Sequence, residues 1–135
     1  MINCENEVFS TVSQAVRAQY ANAFMTSEPV ASPSKFPCVV LREMDNSTYQ
    51  RTLDSSGTEN HAQLMYQAEV YSNLSTGKKS QCRAIMALID EEMQKLGFLR
   101  IGCGPMEMPN ANQTIYRVVA RYRGTISKDL IMYRR

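Results

Sequence analysis

Ala62-Gln63-Leu64-Met65-Tyr66-Gln67-Ala68-Glu69-Val70-Tyr71 puts Leu64, Tyr66, Ala68 and Val70 on alternate positions, with Gln63, Met65, Gln67 and Glu69 between them. A period of two marks a strand that turns one face to a core. After Ser75-Thr76-Gly77 the period changes. Cys82, Ile85, Leu88, Ile89, Met93 and Leu96 recur at helical spacing, while Lys79, Arg83, Asp90, Glu91 and Lys95 fall largely elsewhere. The helix stops at Leu96-Gly97-Phe98, where glycine accepts the left-handed conformation and Phe98 folds back on the last turn. A second long strand spans Thr114 to Thr125, with Tyr116, Val118, Ala120 and Tyr122 on one face and Arg117, Val119, Arg121 and Arg123 on the other. Its outer face is therefore basic.

Working outward, Val8, Val12, Ala15, Val16, Gln19, Tyr20 and Ala23 form a mostly apolar stripe, predicting a first helix from about Glu5 to Phe24. Asn3 or Asn6 is placed to cap it, and Glu5 and Glu7 suit the positive end of the helix dipole. The segment 26–34, with Pro29 and Pro33, reads as a loop. Pro37-Cys38-Val39-Val40-Leu41 is a short strand, and Met44 to Asn60 a long polar excursion, a projecting hairpin or arm. Leu99 to Met108 predicts a strand interrupted by Gly102, Gly104 and Pro105, followed by a turn at Asn110-Ala111-Asn112. Gly124 to Asp129 reads as a turn before a last strand at Leu130-Ile131-Met132-Tyr133. The expectation is a single α+β domain over 1–135, a mostly antiparallel sheet of about four to five strands packed by two helices in the order α-β-β-α-β-β. The polar loop at about 45–60 projects from it.

The 135 residues suffice for one core, and 44% hydrophobic with 21% charged residues is a globular balance. No apolar run approaches the ~20 residues that span a bilayer, and the first residues lack the basic and apolar regions of a signal peptide, so a soluble, unexported protein is expected. Cys4, Cys38, Cys82 and Cys103 form no C-x-x-C motif, which predicts free thiols. The matches to the glycosylation pattern at Asn46, Asn73 and Asn112 are then coincidental. A net charge of +2 supplies no large field for holding nucleic acid, so any electropositive surface is local.

The candidate chemistry fails residue by residue. His61 has no second histidine to share a metal, and no local signature surrounds Cys38, Cys82 or Cys103, whose better reading is a buried thiol. Asp90-Glu91-Glu92 are consecutive on a helix and diverge by about a hundred degrees each, as a solvated face does. Gly102-Cys103-Gly104 lacks the third glycine of a dinucleotide loop, and Gly77-Lys78-Lys79-Ser80 lacks the first glycine of a phosphate loop. Met65, Met86 and Met93 lie within periodic elements as core filler. No catalytic residue, cofactor or metal is expected. The row Arg117, Arg121, Arg123 remains, either a solvated sheet face or a contact for an acidic neighbour; the tyrosines beside it point to the opposite face, which disfavours a stacking platform for bases.

The element order, with Phe36-Pro37-Cys38-Val39-Val40-Leu41-Arg42-Glu43 entering the polar excursion, Ala68-Glu69-Val70-Tyr71-Ser72-Asn73 running into the second helix through Lys78-Lys79, and the closing Arg117-Val118-Val119-Ala120-Arg121-Tyr122-Arg123-Gly124, resembles the tail terminator and tail completion proteins of long-tailed phages. The resemblance implies a non-enzymatic virion subunit, assembled in the host cytoplasm, that forms a ring, commonly a hexamer, at the head-proximal end of the tail. Its partners would be copies of itself, the tail tube protein and the head connector or head-closure protein. DNA would be met only as it passes through the lumen, and no membrane is involved. The 45–60 segment, with Asp45, Tyr49, Arg51, Asp54 and Glu59, would dock neighbouring rings, and Arg117, Arg121 and Arg123 would lie at the subunit interface or lumen. A head-closure or connector role, a nucleic-acid-binding module, and a small enzyme using Cys103 or His61 are the alternatives.

Overall fold

A computed structural model describes residues 4–28, 35–48, 61–105 and 115–127. In chain order these residues form α1 (Glu5–Gln19), β1 (Phe24–Thr26), β2 (Cys38–Thr48), β3 (His61–Ser72), α2 (Lys78–Lys95), β4 (Leu99–Pro105) and β5 (Tyr116–Ser127). The strands make one sheet in the order β1-β2-β3-β5-β4, with β1 parallel to β2 and every other pairing antiparallel. The α+β architecture expected from the sequence is the one observed. β5 enters between β3 and β4, so β3-α2-β4 is a split β-α-β unit. No described helix is long and apolar enough to cross a membrane.

Both helices lie on one face of the sheet, α1 toward β2 and α2 across β3, β5 and β4, and they pack against each other. Between them and the sheet sit Val8, Val12 and Val16 of α1, Cys82, Ile85, Ile89 and Met93 of α2, and Val39, Leu41, Leu64, Tyr66, Ala68, Val70, Val118, Ala120 and Tyr122 of the strands. Each full burial of such an apolar side chain stabilises by roughly 1.5–3 kcal/mol. The alternation in β3 thus faces the core as predicted. Met86 is buried where the periodicity favoured Leu88, which is only half-buried.

The β3-to-α2 junction is held by Ser72, whose Oγ donates to Gln81 Oε1 at 2.6 Å and accepts from the Leu74 amide at 3.4 Å. Gly77 precedes α2 at φ 83°, a left-handed backbone natural to glycine. Gly97 (φ 97°) closes the helix as its sequence predicts: the Phe98 amide donates to Met93 O at 2.9 Å and the Gly97 amide to Gln94 O at 3.0 Å.

Several boundaries differ from expectation. α1 ends at Gln19 instead of near Phe24, because Phe24–Thr26 leaves the helical stripe to pair with Cys38–Val40. Among the described residues no side chain caps its start; Cys4 holds the cap position. β2 runs through the polar residues to Thr48, with a bulge between Glu43 and Asp45 that absorbs Met44, so the first residues of the predicted excursion are the stem of a β2-β3 hairpin. Gly124 is not in a turn: β5 continues to Ser127, paired with His61. The predicted turn at 110–112 and last strand at 130–133 lie outside the described residues.

Candidate interaction surface

Consecutive residues of a strand point to opposite faces, so the sheet surface away from the helices is fixed by register. Across β2, β3 and β5 it carries the rows Cys38–Tyr71–Arg117, Val40–Glu69–Val119, Arg42–Gln67–Arg121 and Asp45–Met65–Arg123. Arg117, Arg121 and Arg123 do share this face, as their spacing predicts. They differ in state. Arg117 Nη2 donates to Glu69 Oε1, and its guanidinium lies 5.6 Å from the Tyr71 ring centroid. Glu69 also accepts from Gln67 Nε2 at 3.0 Å and from the Tyr71 hydroxyl at 3.3 Å. Burial, and then the Glu69 charge, push the Tyr71 phenol up to about 12, so it remains a donor. Glu69 and Gln67 are buried, although they lie on the face of β3 that turns away from the helices. A carboxylate can be buried here because three donors surround it.

Arg121 and Arg123 are exposed, Arg121 Nε donating to Gln67 Oε1 at 3.0 Å. Arg42 joins them on the far side of Gln67, and its Nε is buried without a hydrogen-bond partner among the described residues. Gln67 has its oxygen engaged by Arg121 and its nitrogen by Glu69. The row therefore has more donors than acceptors. Gly102 and Gly104 pair with Arg121 and Val119, and a Cβ added at either would meet open space, so the surface beside Arg121 is bare backbone. Leu99 and Ile101 of the same strand are 50% and 43% exposed, and Phe24 in β1, at the other edge of the sheet, is 38% exposed.

On the opposite side, at the same level along β2, two carboxylates meet where α1 begins. The Glu43 amide donates to Glu5 Oε2 at 3.4 Å, and Glu43 Oε1 accepts from the Tyr66 hydroxyl at 3.4 Å. Glu7 stands exposed in the same first turn. Burial, followed by the Glu5 charge, holds the Glu43 carboxyl above the usual glutamate range. A raised folded-state value means that ionising Glu43 costs more in the fold than in the unfolded chain. Stability is thus expected to rise as pH falls through that raised value toward the ordinary glutamate range, and Glu43→Gln should flatten this part of a urea-midpoint-versus-pH curve; an unchanged slope would contradict it.

A cleft of about 330 Å³ between α2 and β4 is lined in part by Arg83, Met86, Asp90, Arg100, Cys103 and Val118. Asp90 is not a solvated helix-face charge: it accepts from the Tyr122 hydroxyl at 3.0 Å and from Gln94 Nε2 at 2.9 Å, and pairs with Arg100 at 3.4 Å. Cys103 is exposed, against the buried thiol expected, because β4 has β5 as its one partner strand among the described residues. Cys4, Cys38 and Cys82 are buried free thiols; burial raises all three, Cys38 to about 11 and Cys82 to about 12. Native protein should therefore react rapidly with a disulfide reagent at one thiol per chain, a reaction abolished by Cys103→Ser; fast labelling of several thiols would contradict this burial pattern.

The register also separates the conceivable Cys–His pairs. His61 pairs with Ser127 and Cys103 with Ala120, which puts them about 23 Å apart along β5 at ~3.3 Å per residue. Cys38 pairs with Tyr71, at the other end of β3 from His61. Among the described residues no group of three or more His, Cys, Asp or Glu could hold a metal ion. Of the predicted docking residues, Asp45 lies in β2 and accepts from the Ser47 hydroxyl at 3.0 Å; Tyr49, Arg51, Asp54 and Glu59 lie outside the described residues. Arg42, Gln67 and Glu69 were missed by the sequence reading. Continuing the alternation from Leu41 through Arg42 would have found the first. No family model and no curated protein matches the chain.

Proposed function

We propose that this chain is a structural virion subunit that forms a homo-oligomeric ring at the head-proximal end of a phage tail, ending the tail tube and joining it to the head connector. The observation that supports this reading is a sheet whose outer face carries a donor-rich arginine row and whose two edge strands expose Phe24, Leu99 and Ile101. Such edges in an isolated monomer invite uncontrolled pairing, and a ring covers them with neighbouring copies. The segment between β2 and β3 is the proposed contact to the neighbouring ring. Since β2 runs to Thr48 and β3 begins at His61, the test is a deletion in which 49–60 is replaced by a short Asn-Gly turn that closes the paired stem. Phage carrying it are expected to accumulate filled heads and unjoined tails. Normal virions from that deletion would refute the docking role, and a cryo-electron microscopy map of wild-type particles without the subunit at the neck would refute the function itself.

A further inference from the structure

The register of the edge strand β4 decides which of its side chains meet α2. Arg100 and Cys103 pair with Tyr122 and Ala120, which belong to the core beneath the helices, so both stand on the helix side of the sheet. From α2, Arg83, Ala87 and Asp90 recur at steps of four and three and share the helix face that runs beside β4. Where the two elements pass, their side chains are small: Ala87 on one wall, Cys103 and Gly104 on the other. The result is the cleft of about 330 Å³, floored by buried Met86 and Val118. From Arg83 to Asp90 it runs about 10 Å at ~1.5 Å per helical residue. Its volume stands at the low end of those that hold small molecules.

One group in the cleft is fully engaged, since Asp90 accepts from Tyr122, Gln94 and Arg100. The others are open. Arg100 gives that pair a single 3.4 Å contact through Nη1 and is half-exposed, and Arg83 is exposed without an ion pair among the described residues. Two guanidiniums against one carboxylate leave a surplus positive charge around Cys103, the one exposed thiol of the four. A ligand that uses all of these features carries carboxylates for the arginines, a short apolar body for Met86 and Val118, and a group with which a thiol reacts. We propose that this cleft is an S-thiolation site for small disulfides bearing carboxylates. Cys103 releases its proton to solvent, and its thiolate attacks one sulfur of the ligand. A new S–S bond forms as the old one breaks, and the departing thiolate takes up a proton. One disulfide replaces another, so no separate oxidant is consumed. The site is complete within one chain, and the proposal therefore stands apart from the virion function, which the particle map decides.

The test uses the full chain and three simple dialkyl disulfides: dithiodipropionate, which is anionic, hydroxyethyl disulfide, which is neutral, and cystamine, which is cationic. The rate of adduct formation at Cys103, followed by intact mass, is divided for each reagent by its rate with a small uncharged thiol. The anionic reagent is expected to lead the neutral one by about tenfold and cystamine to trail both. This order should flatten in about 1 M salt, where the Debye length is ~3 Å, and in Arg83→Glu, and it should persist in Arg83→Lys. Cys103→Ser should form no adduct, and circular dichroism establishes that each variant is folded. Equal normalised rates for the three reagents in the unmodified protein would overturn the proposal and leave Cys103 a plain exposed thiol. So would a preference untouched by both salt and Arg83→Glu, an adduct on another cysteine, or no adduct at all.

Discussion

Tyr66→Ala is expected to destabilise the fold by about 3–5 kcal/mol, read as a lower midpoint in urea unfolding with the slope unchanged. Tyr66 is fully buried in the third of five strands, and its ring meets that of Phe98 edge-on at a centroid distance of 5.2 Å and an interplanar angle of 79°. Phe98 is the residue that folds back from the end of α2. Truncating Tyr66 therefore opens a cavity where β3 and the α2 stop meet, and it strands the tie to Glu43 and Cys4 at the start of α1. Tyr66→Phe separates the two contributions: it keeps the ring and removes a hydroxyl 3.4 Å from Glu43 Oε1, and is expected to cost only about 0.5–1.5 kcal/mol. Equal losses for the two substitutions would refute the packing account.

Glu69→Ala is expected to cost about 3–5 kcal/mol, the range for removing one partner of a buried ion pair. The side chains of Arg117 and Glu69 are 18% and 5% exposed, so solvent screens the pair weakly. Without Glu69, the Arg117 guanidinium, the Gln67 amide and the Tyr71 hydroxyl all lose an acceptor together. The double substitution Glu69→Leu/Arg117→Leu tests the mechanism: removing the stranded Arg117 charge should recover the ion-pair part of the loss and leave the cost of the Gln67 amide and the Tyr71 hydroxyl without their acceptor. A double variant as unstable as Glu69→Ala would show that the cost lies elsewhere.

Much of the fold could be read because its central elements obey one local period each. Leu64 to Val70 alternate cleanly, and the α2 stripe ends on a glycine whose conformation the structure confirms. β1 was illegible for a physical reason: Phe24-Met25-Thr26 continues the helical stripe of Ala23, and only pairing with Cys38–Val40 makes it a strand. The far half of β2 was hidden by its polarity and by the bulge at Met44, which interrupts the alternation. The basic row was half legible. Parity places Arg117, Arg121 and Arg123 on one face, yet nothing local says that Glu69, 48 positions away, will neutralise the first of them. Cys103 was misread because burial of a thiol depends on whether its strand is central or at the edge, which is a property of sheet order.

The insertion of β5 between β3 and β4 also sets a timetable for folding. The ribosome delivers β3, α2 and β4 first, and until β5 emerges the two strands that flank it lack the ladder joining them. The β3–β5 ladder then forms between distant parts of the chain, a kind of contact that folds slowly and leaves strand edges open to wrong partners in the interval. For this chain, the dangerous moment for aggregation is the one just before β5 is released.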